Sequence, residues 1–193
     1  MESVLVEKLW RNEHIYTIFF RILIKAITKL QINIMPTNKQ TQFLERAVEL
    51  SRQGMEGDWG GPFGCVIVKG NEIIAEGYNM VSSTQDPTAH AEIVAIRKAC
   101  EKLNSFQLTD CDIYASCEPC PMCLGAIYWA RPRQVIYSNT KEDAAAIEFD
   151  DHFIYHEINT GMSERKIPFI HFPLTSAKKV FDDWKKLEEK KLY

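Results

Sequence analysis

A chain of 193 residues and 22.3 kDa has the length of one domain with room for a short appendage. Its 46% apolar and 11% aromatic content is enough for a packed core and excludes the disordered, collagen-like and low-complexity classes. The formal net charge of −3 supplies no general attraction to phosphate backbones, although a local basic patch can sit on an acidic protein.

Residues 1–34 read differently from the rest. Residues 15–30 are strongly apolar, but Arg21, Lys25 and Lys29 interrupt them at a spacing of four and would line one face of a helix. A membrane span needs about 20 apolar residues without such charges. A secretory signal would be shorter and end in small residues. Glu2, Glu7 and Glu13 are foreign to a mitochondrial presequence. Three readings remain: an amphipathic helix packed on the body, an interfacial membrane anchor, or a stretch upstream of a true start at Met35. The expected division is therefore an N-terminal extension over 1–34 and one functional domain over 35–193. Without the extension the chain keeps 18 cations against 23 acids, a net charge of −5, which weakens a nucleic-acid role further.

Apolar residues at Phe43, Leu44, Ala47, Val48 and Leu50 predict a helix over 41–53. Gly54, Gly57, Gly60 and Gly61 break it. Residues 63–68 form a short apolar run that predicts a buried strand. Gly70-Asn71 predicts a turn, and 72–79 the return strand of a hairpin. A polar loop over 82–87 leads to a second helix over 89–103. A third strand is expected at 111–115. A third helix follows over 121–130, with Pro121 in its first turn, where a missing N–H costs nothing. A fourth strand is expected at 133–137, a short helix over 150–158, a further strand over 167–174 and a charged final helix over 176–190. Strands alternating with helices imply crossover connections and a sheet covered by helices.

The six cysteines are Cys65, Cys100, Cys111, Cys117, Cys120 and Cys123. Three of them crowd into seven residues, which suits a metal or redox site in a reducing compartment better than a disulfide framework. Cytoplasmic placement follows as the expectation.

Two short motifs carry the chemistry. Thr88-Ala89-His90-Ala91-Glu92 begins the second helix, and Glu118-Pro119-Cys120-Pro121-Met122-Cys123 begins the third. One imidazole and two thiolates make three zinc ligands, the number typical of a catalytic site with an open fourth position. The partial positive charge of a helix N-terminus favours thiolate over thiol. Glu92, two residues beyond His90, is placed to handle protons rather than to ligate. Bland readings stand beside these. A lone C-x-x-C is more often a redox pair or chance, and a lone His at a helix start is often a cap. Cys117-Glu118-Pro119-Cys120 is a second, overlapping C-x-x-C, so spacing alone leaves open which two of the three cysteines ligate. A structural zinc would want a fourth protein ligand, which only Cys117 could supply. The two motifs together, in this order and each opening a helix, favour the catalytic site.

The combination H-x-E … P-C-x-x-C is the signature of zinc deaminases, in which zinc lowers the pKa of water towards about 7 and a glutamate moves the protons. From about Gln40 to Tyr193 the chain resembles the cytidine deaminase-like superfamily, and within it the guanine-deaminating branch. The resemblance rests on GGPFG at 60–64, DPTAHAE at 86–92, SCEPCPMCLGAIYWARP at 116–132, FDD at 149–151, FIY at 153–155 and the terminal tyrosine. It implies a three-layer α/β/α sandwich around a mixed five-stranded sheet. It implies one Zn2+ per subunit on His90, Cys120 and Cys123, with Cys117 unligated, and Glu92 as proton shuttle. It further implies that Asn79 and the backbone N–H of Ala91 meet a purine, that Asp151 meets the amino group or assists its departure, and that the chain forms a homodimer with a swapped C-terminal segment whose Tyr193 closes the partner's site.

The implied reaction is hydrolysis of guanine to xanthine and ammonia. Guanosine or an aminotriazine such as ammeline is the nearest alternative, because it needs the same machinery and a different pocket. A tRNA adenosine deaminase would need a basic surface. The lysines of the C-terminal stretch alternate with Asp182, Asp183, Glu188 and Glu189, as on a solvated helix face. A zinc-stabilised binding protein is the remaining reading, opposed by Glu92. Phe63 and Trp129 are aromatic candidates near the motifs, but such residues are more often core or interface. No nucleic-acid partner is expected, nor a membrane unless residues 1–34 are an anchor.

Overall fold

A computed structural model describes residues 37–192. The readings of residues 1–34 and of Tyr193 lie outside the described residues. The chain divides between Thr41 and Gln42, and only the opening of the first helix is described on the N-terminal side.

Helix α1 spans Asn38–Glu56, longer at both ends than its apolar stripe. Strands β1 (Gly64–Lys69) and β2 (Glu72–Tyr78) form the expected hairpin, turning at Gly70, whose φ of +63° suits glycine. A single helical turn, α2 (Val81–Thr84), lies inside the expected polar loop. Helix α3 (Ala91–Leu103), strand β3 (Cys111–Cys117), helix α4 (Pro121–Ala130) and strand β4 (Gln134–Asn139) follow in the predicted order. Beyond them come α5 (Lys141–Ala146), α6 (His152–Asn159), a 3₁₀ turn at Met162–Glu164 and α7 (Thr175–Lys186). Helix α5 is additional to the predicted elements, although Thr140 and Asp143 spell a capping box that announces it: each side chain accepts from the other's backbone N–H.

The sheet order is β2-β1-β3-β4, with β1 antiparallel to both β2 and β3, and β3 parallel to β4. It is a four-stranded mixed sheet among the described residues, not the expected five-stranded one. The segment 167–174 stays irregular, with Ile167, Phe169, Ile170 and Phe172 exposed. Pro168 and Pro173 each lack a ladder N–H, which weakens this run as a strand.

Side chains alternate across β1 and define the layers. Cys65 and Ile67 face a cluster with Ala91, Ala95, Ala99, Ile113, Ile127 and Ala130, which brings in α3 and α4. Val66 and Val68 face the opposite cluster with Ala47, Leu50 and Tyr114, which brings in α1. The result is the expected α/β/α arrangement, with β1 and β3 buried almost throughout. Each fully buried isoleucine here is worth roughly 2–3 kcal/mol.

The packing of the sheet against α1 and α3 demands glycine at two places. A Cβ on Gly64 would collide with the carbonyl of Ala47 in α1, and one on Gly77 with the carbonyl of Ala91 in α3. No helix among the described residues is long and apolar enough to cross a membrane.

Candidate active site

The site lies at one end of the sheet, where α3 and α4 begin. Asp86 shapes the approach to α3: its Oδ1 accepts from the backbone N–H of Thr88 at 2.8 Å and from Thr88 Oγ1 at 2.7 Å. The carbonyl of Ala89 accepts from Met80 N–H, tying this loop to the end of β2. His90 is the N-cap of α3 and Cys120 the N-cap of α4, both with extended backbone and neither spending its side chain on a capping bond. Cys123 sits one turn into α4 on the same side. His90 Nδ1 is 3.5 Å from Cys120 Sγ and 3.6 Å from Cys123 Sγ.

These three donor atoms all lie within 4.8 Å of one another, and among the described residues they form the cluster able to hold a metal ion. One nitrogen and two sulfurs suit zinc, and three protein ligands leave a position open. The hydrogen bond from Cys123 lowers the Cys120 thiol to about 4, and the same bond drives the Cys123 thiol upward. His90 is raised, chiefly by its hydrogen bond with Cys120.

Cys117, the residue that sequence spacing could not exclude, is turned elsewhere. Its Sγ–H donates to the Thr140 carbonyl at 3.4 Å, and burial pushes the thiol up to about 11. It stands outside the ligand cluster.

A cleft of about 480 Å³ opens on these ligands. It is lined by His90, Glu92 and Cys120, and also by Asn79 and Asp151, which lie 72 positions apart in the chain. Glu92 is only 7% exposed, and burial holds its carboxyl above the usual range, with the Cys120 charge adding to the effect. Asn79 is buried as well; its N–H donates to the Phe63 carbonyl at 3.0 Å and its Oδ1 accepts from Val81 N–H at 3.1 Å, which fixes the carboxamide. A Cβ on Gly60 would strike that Oδ1. Asp151 occupies the N-cap position of α6 without a capping bond, while Asp150 accepts from His152 N–H in its place. Burial raises the Asp151 carboxyl, with the charge of Cys120 as a second cause.

The Ala91 side chain packs in the core cluster, outside the cleft lining, so only its backbone N–H at the mouth of α3 is left for a ligand. Trp129 also lies elsewhere, in a second groove with Ile93, Ile96 and Phe106. Phe63 does line the cleft, together with Phe149, Phe153, Glu118 and Lys141, which sequence reasoning passes over. The FDD triplet is the available signal for Phe149. Phe153 lies in the FIY triplet and Glu118 opens the second cysteine motif, while Lys141 comes from the start of α5, which no predicted element covered.

Residues 37–139 match the family model of the cytidine and deoxycytidylate deaminase zinc-binding region. The chain is 56% identical over 151 residues to the guanine deaminase of Bacillus subtilis (strain 168), covering 78% of this chain and 97% of that protein. It is 32% identical over 123 residues to the tRNA-specific adenosine deaminase of Aquifex aeolicus (strain VF5), covering 64% of this chain and 79% of that one. The X-ray structure of the Bacillus subtilis guanine deaminase matches with a TM-score of 0.77 at 55% identity, over 79% of this chain and 98% of the other. Ligand cluster, buried glutamate, sheet order and these likenesses agree, and the chain belongs to the cytidine and deoxycytidylate deaminase family with its zinc-binding region.

Proposed function

We propose that this chain hydrolyses guanine to xanthine and ammonia. The observation that carries the proposal is the 56% identity sustained over 97% of a guanine deaminase. His90, Cys120 and Cys123 would hold zinc, which when bound would make hydroxide available at neutral pH. Glu92 takes the proton released by the attacking water and delivers it to the ring nitrogen beside the carbon that carries the amino group. A second proton passes from the added hydroxyl through Glu92 to the amino nitrogen, the C–N bond breaks, and ammonia leaves as the carbonyl forms. Asn79 donates to the purine and the Ala91 N–H faces its ring. Asp151 meets the amino group or assists its departure, a role suited to a carboxyl that burial holds upward.

The assembly belongs to the same proposal: a homodimer in which the C-terminal segment swaps and Tyr193 closes the partner's cleft. Ile170, Phe172, Val180 and Phe181 are exposed along that segment, as a chain lying on a second copy requires. Light scattering should give twice the 22.3 kDa chain mass; a monomer at micromolar concentration sinks this part. Cytoplasmic placement is part of the reading too, since all six cysteines are free thiols.

Acidic residues argue against a polynucleotide substrate. Glu118, Glu148, Asp150 and Asp151 line the cleft against a single lysine, Lys141. The deciding experiment is ammonia release from guanine by zinc-loaded protein, with Glu92→Gln as control. Release that disappears in the variant supports the reading. No release from guanine, with turnover of guanosine or ammeline, transfers the activity to that substrate. Turnover of tRNA alone, with steep salt dependence, revives the adenosine deaminase. Zinc binding without any turnover leaves a zinc-stabilised binding protein.

A further inference from the structure

We propose that Trp59 is a positioning residue: stacked on Tyr78, it clamps the loop after α1 onto the end of β2 and so sets the angle at which Asn79 offers its carboxamide to a base. The inference rests on the guanine reading above, in which Asn79 meets the purine, and names what holds that contact in place.

Neither ring lines the cleft. Their centroids are 4.6 Å apart at an interplanar angle of 28°, a stacked pair. Tyr78 is the last residue of β2, and Asn79 follows it directly. Loop and strand end meet at three levels. The rings stack at the first. At the second, Gly60 packs so closely on Asn79 that a Cβ there would collide with its Oδ1 and lie 2.8 Å from its carbonyl oxygen. At the third, the Trp59 carbonyl accepts from Ser83 N–H at 3.1 Å, which ties α2 to the same loop. Asn79 Oδ1 accepts from Val81 N–H at 3.1 Å, so Nδ2 is the end of the carboxamide left to a ligand.

The backbone is bent to bring Trp59 back onto the strand. Asp58 stands in the left-handed region at φ +57°, a conformation aspartate adopts more readily than most residues. Trp59 N–H then donates to the Gly54 carbonyl at 3.0 Å. Gly54 in turn leaves room for the other ring, because a Cβ there would lie 3.0 Å from Tyr78 Cβ. Trp59 itself is 41% exposed, so it adds less to the core than a buried tryptophan would. Its geometry is spent on the loop that abuts Asn79. Without the stack, Gly60 can move off Asn79, and the carboxamide loses the surface that fixes its plane.

The test is equilibrium dialysis of guanine against the full-length, zinc-loaded Glu92→Gln protein, which retains the ligand unreacted. Adding Asn79→Ala should weaken guanine by about tenfold, and adding Trp59→Leu by about fivefold, as for a hydrogen bond lost or misdirected. Trp59→Phe keeps a ring on Tyr78 and should restore most of the affinity. Trp59→Leu placed on top of Asn79→Ala should cost less than about twofold more, because the tryptophan acts through the asparagine. Zinc content should stay the same throughout. Tyr78→Leu removes the stack from its other side and should match Trp59→Leu, which keeps the test open if one of the two fails to fold. Guanine affinity unchanged by loss of either ring, a loss that Trp59→Phe does not restore, or a loss that persists in full beside Asn79→Ala overturns the proposal while leaving the guanine reading intact. A Glu92→Gln parent that binds no guanine overturns the guanine reading, and this proposal with it.

Discussion

His90 and Cys120 hold the same position in α3 and α4: each is an extended N-cap residue, and the Nδ1 of one lies 3.5 Å from the Sγ of the other. Side chains at N-caps usually accept from the first turn of their own helix. Here neither does, and both are left for a metal. The two helix mouths add their positive ends to the same spot, which favours the thiolate.

This arrangement predicts which cysteine matters. Cys120→Ser and His90→Ala should lose nearly all bound zinc, measured by elemental analysis of purified protein. Cys117→Ser should keep about one zinc per chain, because the native thiol donates to Thr140 and not to the metal cluster. Equal zinc loss in Cys117→Ser would show that the ligand set includes it.

Glu92→Gln should separate binding from turnover. The amide fills the same buried space but accepts no proton, so ammonia release should fall by about 10²–10⁴-fold with zinc content unchanged. A variant that keeps more than a tenth of the parent rate would remove Glu92 from the proton path.

Arg46 and Glu76 predict an acid-sensitive brace between α1 and β2. Arg46 Nε and Nη2 donate to the two Glu76 oxygens at 2.7 and 2.8 Å. That pairing holds the Glu76 carboxyl below its ordinary range. A depressed folded value means the stabilisation is full above the unfolded value of about 4.3 and is lost as pH falls through the folded one. The pair is partly solvated, so Glu76→Gln should cost only about 0.5–1 kcal/mol at pH 7. The difference should shrink towards zero below about pH 4. Urea unfolding of both proteins across that range checks it; a difference that grows with acid contradicts the assignment.

The contact of β2 with α3 should tolerate no methyl group. Gly77→Ala pushes against the Ala91 carbonyl, in the first turn of the helix that carries Glu92. A loss of about 1–3 kcal/mol is expected in guanidinium unfolding, with reduced activity in the protein that remains folded. Gly64→Ala meets α1 instead and should cost as much stability with less effect on zinc.

By itself the sequence determined the main helices and the four strands of the sheet, and the metal chemistry. The H-x-E and P-C-x-x-C spacings are local, and a helix start converts such spacing directly into geometry, so His90, Glu92 and a pair from Cys117, Cys120 and Cys123 are legible in the order of residues alone. The apolar runs of β1 and β3 and the stripe of α1 are legible for the same reason: burial on a fixed period leaves a mark in neighbouring residues. The tertiary structure decided the rest. It chose among three cysteines, because the partner of Cys117 is a carbonyl 23 positions away. It left the 167–174 run, weakened as a strand by two prolines, outside the sheet. It brought Asn79, Phe149 and Asp151 to one cleft, since Asn79 follows β2 while the other two lie between α5 and α6, and only packing around the sheet sets those ends side by side.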